Sequence, residues 1–144
     1  MDNESARRKF EAIYDQHRRA ILAYSRRRAD EQNAHEIMNE TFAIVWRHIG
    51  KAPEPDSALP WLYSTARGVL SNRRRSDQRY ARLIARAGSM RPVLEIGPEA
   101  QVVRNQELQR IATALSRLSP SDREILLLAV WEELPRAVIG EVLG

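Results

Sequence analysis

The sequence predicts an all-α protein, made of two small helical domains that are joined by a flexible linker. Apolar residues recur at three- and four-residue spacing in nearly every segment, which is typical of amphipathic helices. No run of strand length alternates apolar and polar residues. The 144 residues allow one domain or two small ones. We expect residues 1–87 to form the first domain, residues 88–98 the linker and residues 99–144 the second domain.

Composition excludes several classes of protein. The chain contains no cysteine, which excludes a disulfide framework, a thiolate metal site and a thiol nucleophile. No apolar run approaches the roughly 18 residues that a membrane span requires. The N-terminus is polar and lacks the apolar core of a signal peptide. We therefore expect a cytoplasmic protein.

Three helices are predicted in the first domain. The first covers about residues 4–28, and the second covers residues 33–49, where Asn33 and Glu36 have the spacing of a capping box. Gly50 is a candidate C′ residue after the second helix. A loop leads to the third helix, which Asp56 or Ser57 can cap and in which Pro60 occupies the first turn. The helical pattern resumes around Tyr80 and stops before the linker.

The third helix is basic on one side and apolar on the other. Its polar face gathers the side chains Arg67, Asn72, Arg73, Arg74 and Arg75. Between Arg67 and Arg91, eight arginines accompany one acid, Asp77, so this window carries +7 whereas the whole chain carries +4. The positive charge is therefore a local patch, and such a patch favours nucleic acid as the partner. The alternative is a solvated helix end followed by a polar linker.

The second domain is predicted to contain three short helices. The first opens near Pro98 and Glu99, and the next begins with Ser119 at the N-cap and Pro120 at N1. A last helix starts at Leu134–Pro135 and runs to the end of the sequence. Three helices of this length bury little apolar area by themselves, so this half is expected to be incomplete.

Two stretches resemble a known family. The sequence EIMNETFAIVW (residues 36–46), followed by PWLY (residues 60–63) and the basic run to Arg75, resembles region 2 of the extracytoplasmic-function (ECF) sigma factors of bacterial RNA polymerase. The sequence ALSRLSPSDREILLL (residues 114–128), with the residues that follow to Gly144, resembles the start of their region 4. The order of the two motifs and the linker between them match the family. The resemblance implies promoter recognition and transcription initiation rather than catalysis.

The resemblance also implies where the polymerase binds. In the family, an acidic helix docks on the clamp helices of the largest β-type subunit of core RNA polymerase. The matching positions here are Glu36, Asn39 and Glu40, which share one helical face. Members of the family usually carry Asp and Gln where this chain has Glu36 and Asn39. On the sequence alone, the same pattern fits a capping box on a solvated face equally well.

The basic helix corresponds to the reader of the minus-ten promoter element. A protein that holds a strand during unpairing needs phosphate contacts, stacking surfaces and base-edge contacts. Arg67, Arg73, Arg74 and Arg75 suit phosphate contact, Asn72 suits a base edge, and Trp61 or Tyr63 suits a stacking wall. Packing in the core is the competing interpretation for the two aromatic residues. Gly68 departs from the family, which often has Asn there, and this departure places a base contact at that position in doubt.

The second half departs further from the family. Pro135 stands where a capping Ser or Thr is usual, and Gly140 where Ala is usual. The recognition helix of the helix-turn-helix is expected after Gly144, so the sequence as given is not expected to read the minus-thirty-five element in the family's manner. The family commonly has an anti-sigma protein as an inhibitory partner, and we expect one here.

Enzymatic interpretations find little support in the sequence. His17, His35 and His48 lack metal-ligand partners at fixed spacing, and no Gly-rich phosphate loop or nucleophile motif occurs. His48 is expected to cap a helix end. We expect no cofactor, no metal and no catalytic residue. The alternative to a sigma factor is a degenerate sigma-like helical module that acts through protein partners without binding DNA.

Overall fold

The computed structural model describes residues 1–87 and 106–144, and this part of the chain is helical without strands. The all-α prediction is confirmed. The long helices are α1 (Asn3–Arg26), α2 (Glu31–Arg47) and α3 (Leu59–Arg86), and the short ones are α4 (Gln106–Ser116), α5 (Pro120–Val130) and α6 (Arg136–Leu143). Two 3₁₀ turns, Ile49–Lys51 and Pro55–Ser57, connect α2 to α3. The predicted linker at residues 88–98 lies outside the described residues.

The helix starts agree only in part with the sequence predictions. Ser119 caps α5 as predicted, because its side chain accepts a hydrogen bond from the backbone N–H of Asp122 at 3.1 Å. The N-cap of α2 is Asp30 rather than Asn33, so the predicted capping box is wrong. The Asp30 carboxylate accepts hydrogen bonds from the backbone and side-chain nitrogens of Asn33, and these bonds lower its pKa. Asp30 caps the start of the helix about one turn earlier than predicted. The Glu36 side chain is therefore not used in capping and can make other contacts.

Two further predictions about helix ends are corrected. Neither Asp56 nor Ser57 caps α3, because the turn Pro55–Ser57 separates them from the helix and Ala58 takes the N-cap position. Gly50 is not a left-handed C′ residue after α2. His48 is the C-cap, and Gly50 lies inside the turn Ile49–Lys51 without a positive φ angle. The hydrogen bond between His48 Nδ1 and the carbonyl oxygen of Ile44, 3.0 Å, confirms the predicted role of His48 at a helix end.

The first three helices form a bundle around an apolar core. Each contributes a stripe of buried side chains at helical spacing, and α2 lies against both α1 and α3. A second small cluster, formed by Ile37, Val69 and Leu70, joins α2 to the middle of α3. This contact fixes the rotation of α3 about its axis. It therefore determines which side chains of α3 face solvent.

The C-terminal helices pack on this bundle and share its core. Leu128, Ile139 and Val142 are buried in the same cluster as Leu62 and Tyr63 of α3. Helix α6 lies directly against α3. The short helices α5 and α6 bury too little area alone, and the bundle supplies the apolar surface that they lack.

A buried polar cluster joins α1 to the C-terminal half. The side chain of Arg28 is 2 % exposed and reaches Glu132, whose side chain is 1 % exposed, at 3.0 Å. Arg28 also contacts Glu124 at 3.3 Å and stacks its guanidinium over the Tyr24 ring at 3.7 Å from the centroid. The Tyr24 hydroxyl donates to Glu124 at 3.0 Å, and Arg27 binds Glu132 at 2.8 Å. We call Tyr24, Arg27, Arg28, Glu124 and Glu132 the interhalf cluster.

Burial and the neighbouring charges shift the pKa values of two members of the interhalf cluster, Tyr24 and Arg28. Desolvation and the nearby carboxylate of Glu124 raise the pKa of Tyr24, so its phenol stays neutral and remains a hydrogen-bond donor. Desolvation by itself lowers the pKa of Arg28, but the hydrogen bond to Glu132 and the charges of Tyr24, Glu124 and Glu132 together outweigh it, and the pKa is raised overall. The Arg28 guanidinium therefore stays charged although it is buried.

We predict that Glu132→Gln strongly destabilises the protein. Removal of one partner from a buried ion pair leaves the other charge uncompensated, at a cost of about 3–5 kcal/mol. Urea unfolding followed by circular dichroism measures this loss. The matched control is Glu133→Gln, since Glu133 is the next residue and is exposed. Equal free energies of unfolding for the two variants would show that the cluster does not hold the halves together.

Candidate functional site

The predicted polymerase-binding residues lie on one exposed face of α2. Glu36, Asn39 and Glu40 are all exposed, whereas Ile37 and Thr41 on the opposite side of the helix are buried. Helical spacing brings the two carboxylates and the amide together. The face therefore presents two negative charges and one neutral hydrogen-bonding group to solvent.

The predicted DNA-binding residues lie mostly on the solvent side of α3. The opposite side of this helix docks in the core through Leu62, Tyr63, Ala66, Val69 and Leu70. Asn72, Arg74 and Arg75 are exposed, and Arg67 is half-buried. Arg75 donates a hydrogen bond to the Asn72 side-chain oxygen. This bond leaves the Asn72 NH₂ group available as a donor to a base edge.

Arg73 joins the two faces. Its NH1 donates to Glu36 at 3.0 Å and to the Asn33 side chain at 3.3 Å, and its Nε donates to Glu40 at 3.3 Å. Partial burial lowers the pKa of Arg73, but the hydrogen bonds to Glu36 and Glu40 outweigh it and raise the pKa overall. We call this arrangement the Arg73 bridge. Of the arginines in the predicted run Arg73–Arg75, Arg73 is thus engaged by acids rather than free for phosphate.

The Arg73 bridge could not be found by reading each helix separately. Its members are 33 to 40 residues apart in the sequence, so only the packing of α2 on α3 brings them together. On the sequence alone, Arg73 was assigned to DNA and the two acids to the polymerase. The available signal was their opposite charge on adjacent helices. Asn33 was missed as a partner because its position suggested the helix cap.

The two aromatic candidates occupy different environments. Tyr63 is 5 % exposed, and its ring lies 5.4 Å from the ring of Tyr24. Burial and the charge of Glu132 raise its pKa. Tyr63 is buried in the same apolar cluster as Leu128, Ile139 and Val142 of the C-terminal half. Trp61 is half-buried beside the core and keeps part of its ring in contact with solvent.

Gly68 is exposed on α3, and a Cβ atom added there would meet no atom within 4 Å. Packing within the protein therefore does not require glycine at this position. Glycine inside a helix costs about 1 kcal/mol relative to alanine. The open surface is compatible with close approach of another molecule to the helix backbone.

The histidines are used in local hydrogen bonds. His17 Nε2 lies 2.6 Å from the carbonyl oxygen of Pro55, and His35 Nε2 lies 3.1 Å from Glu31. Within residues 1–87 and 106–144, no group of three or more His, Cys, Asp or Glu residues could hold a metal ion. Within the same ranges, no helix has both the length and the apolar character needed to cross a membrane.

Comparisons with known proteins agree with this geometry. Residues 13–80, which include α2 and most of α3, match the family model of Sigma-70 region 2. The chain is 28 % identical over 142 residues to the ECF RNA polymerase sigma factor SigK of Mycolicibacterium vanbaalenii, and the match covers 94 % of this chain and 70 % of the relative. It is 25 % identical over 136 residues to the RNA polymerase sigma factor YlaC of Bacillus subtilis, covering 93 % and 79 % of the two chains. No solved structure gives a significant match.

These matches indicate the class of the protein. The region-2 match spans the helices that carry both candidate faces. The relatives extend over both halves, so over most of its length the chain is similar to sigma factors of RNA polymerase. These similarities support a role in transcription initiation, and the sigma-factor family implies core RNA polymerase and promoter DNA as partners.

We predict a measurable coupling between Arg73 and Glu36. A double-mutant cycle of Arg73→Ala and Glu36→Ala in urea unfolding should give about 0.2–1 kcal/mol, the range for solvent-accessible ion pairs. The matched cycle replaces Arg73 by its neighbour Arg74, which is exposed and makes no ion pair with the described residues. Equal coupling in the two cycles would contradict the bridge.

Proposed function

We propose that this chain directs RNA polymerase to promoters through two adjacent faces of residues 1–87. The α2 face of Glu36, Asn39 and Glu40 binds the clamp helices of the largest β-type subunit. The α3 face binds the minus-ten element and holds it as the strands separate. The observation that carries this proposal is the position of the two faces, which meet at the Arg73 bridge within one rigid helical pair.

The chemistry of the α2 face suits a helical protein partner. Two carboxylates separated by one helical turn can each pair with a basic side chain, and the Asn39 amide can donate and accept hydrogen bonds. Asp30 caps the helix, and buried residues fix its rotation, so these side chains are presented on a rigid support. Such preorganisation reduces the entropy lost on binding.

The chemistry of the α3 face suits a strand that is being unpaired. Arg67, Arg74 and Arg75 provide phosphate contacts, which give affinity without sequence preference. Asn72 lies among them and can bind a base edge. Trp61 is the better-placed stacking wall because part of its ring is accessible, whereas Tyr63 contributes from the core.

The wider assignment follows the same division of the chain. Residues 1–87 act as sigma region 2, residues 88–98 as the linker and residues 99–144 as part of region 4. The proposed role is recognition in the cytoplasm, without catalysis and without a cofactor. An anti-sigma protein is proposed as an additional partner on the strength of the family.

We predict that Glu36→Lys together with Glu40→Lys abolishes co-purification with core RNA polymerase. The double variant replaces two attractive charges by two repulsive ones at the contact. Circular dichroism should show unchanged helicity, because both residues are exposed and the core beneath them is intact.

Two controls separate docking from other effects of charge. Glu4→Lys with Glu11→Lys makes the same change of charge on exposed positions of α1 and should leave binding intact. Arg73→Ala breaks the Arg73 bridge without altering the acids and should also retain binding. Undiminished binding by the Glu36/Glu40 variant would contradict the assignment of the α2 face.

We predict that Arg74→Ala with Arg75→Ala weakens binding of the polymerase-bound protein to every minus-ten sequence. Each phosphate contact on a single strand contributes about 0.7 to the slope of log affinity against log salt. Loss of two contacts should flatten that slope by about 1.4. The measurement is a salt titration on a duplex whose minus-ten segment is already melted.

Asn72→Ala is the contrasting variant in the same titration. It should change the ranking of minus-ten sequences and leave the slope almost unchanged, because a base-edge contact releases no counterion. An unchanged slope for the arginine variant would mean that Arg74 and Arg75 are a solvated helix surface.

A further inference from the structure

Helix α3 continues far beyond the core that supports it. Leu70 is its last buried residue, and residues 71–86 contain none. At 1.5 Å per residue, this extension is about 24 Å long. The predicted minus-ten face ends at Arg75, so about three turns of helix lie beyond the residues assigned to that function.

Three arginines continue the basic face along this extension. Arg79, Arg82 and Arg86 follow Arg75 at spacings of four, three and four residues. At about 100° per residue, all four lie within an arc of about 60° on one side of the helix. The acid Asp77 and the exposed ring of Tyr80 lie about 200° and 140° from Arg75, away from this row. We call Arg79, Arg82 and Arg86 the distal arginine row.

No residue in the described part of the chain forms an ion pair with the distal arginine row. All three side chains are exposed. By contrast, Arg26, Arg28 and Arg73 each bind acids. The row is thus available to an external anion.

The extension is also a helix that an anion should stabilise. Like charges at three- and four-residue spacing repel by about 0.2–0.5 kcal/mol per pair. The pairs 75–79, 79–82 and 82–86 all repel. A row of phosphates would convert this repulsion into attraction.

We propose that the distal arginine row binds the phosphate backbone of double-stranded DNA next to the melted minus-ten element. This proposal rests on the proposed function of α3. A duplex is favoured over a single strand because the row carries no aromatic side chain on which bases could stack. From Arg75 to Arg86 the helix advances about 16 Å, which corresponds to about five base pairs at 3.4 Å each. The row therefore contributes affinity and alignment without reading sequence.

The test compares two DNA probes with the protein bound to core polymerase. Both probes carry the same melted minus-ten segment, and only one continues upstream as a duplex. For the wild-type protein, the upstream duplex should steepen the salt slope, and up to three contacts at about 0.9 each would add about 2.7. The variant Arg79→Ala/Arg82→Ala/Arg86→Ala should lose most of this difference and should bind the short probe as the wild type does.

A matched variant controls for the loss of three positive charges. Arg7→Ala/Arg8→Ala/Arg19→Ala removes three exposed arginines from α1 and should keep the wild-type difference between the probes. Amide hydrogen exchange gives a second readout, because protection of residues 76–86 should rise with the long probe only.

The outcomes distinguish this proposal from the proposed function. If the distal variant keeps the wild-type difference between probes, the row does not bind the duplex, and the minus-ten assignment stands. If the variant loses slope equally on both probes, the row binds the single strand and the duplex assignment is wrong. If the wild-type protein binds neither probe, the proposed function of α3 and this inference both fail.

Discussion

The arrangement of the two halves depends on the burial of the Arg28 guanidinium. An arginine at the end of α1 that is almost wholly removed from water requires counter-charges, and both come from the C-terminal half. Glu124 belongs to α5 and Glu132 to the turn before α6, so one side chain fixes two elements. The apolar contacts of Leu128, Ile139 and Val142 contribute buried area, but the hydrophobic effect is non-directional. The buried ion pairs fix the orientation of the two halves.

The Arg73 bridge uses the same chemistry in a different setting. Arg28 and Glu132 are shielded from solvent, whereas Arg73, Glu36 and Glu40 are all partly accessible. Water and salt weaken the ion pairs of the Arg73 bridge. Glu36 and Glu40 can therefore exchange Arg73 for another basic partner at a small cost in free energy. A buried ion pair therefore sets the architecture, and an accessible one is located where partners are expected. Separate docking of polymerase and DNA on α2 and α3 would draw on the members of the same bridge.

The sequence predicted the helices better than their assembly. Apolar spacing located all the described helices, and the Ser119 cap was recognised because cap, proline and acid follow one another in the chain. The Asp30 cap was missed because Asn33 offers an equally plausible local pattern three residues later. The Arg73 bridge and the interhalf cluster join residues 33 to 105 positions apart, and helical periodicity carries no information on such pairs. The exposed acidic and basic faces were predictable, since each lies opposite an apolar stripe on one helix.

The buried residues of helix α3 all lie in the first half of the helix. Its first turns are held in the core as far as Leu70, the Arg73 bridge ties the next turn to α2, and the remaining residues extend beyond these contacts. Asn72 lies within the anchored part, which suits the proposed contact with the edge of one base. Arg79, Arg82 and Arg86 lie farther along the helix, and attraction between a guanidinium and a charged backbone tolerates shifts that would break a directional hydrogen bond. The proposed roles along this single helix thus follow its packing, with the base-edge contact near the core and the residues that need only charge beyond it.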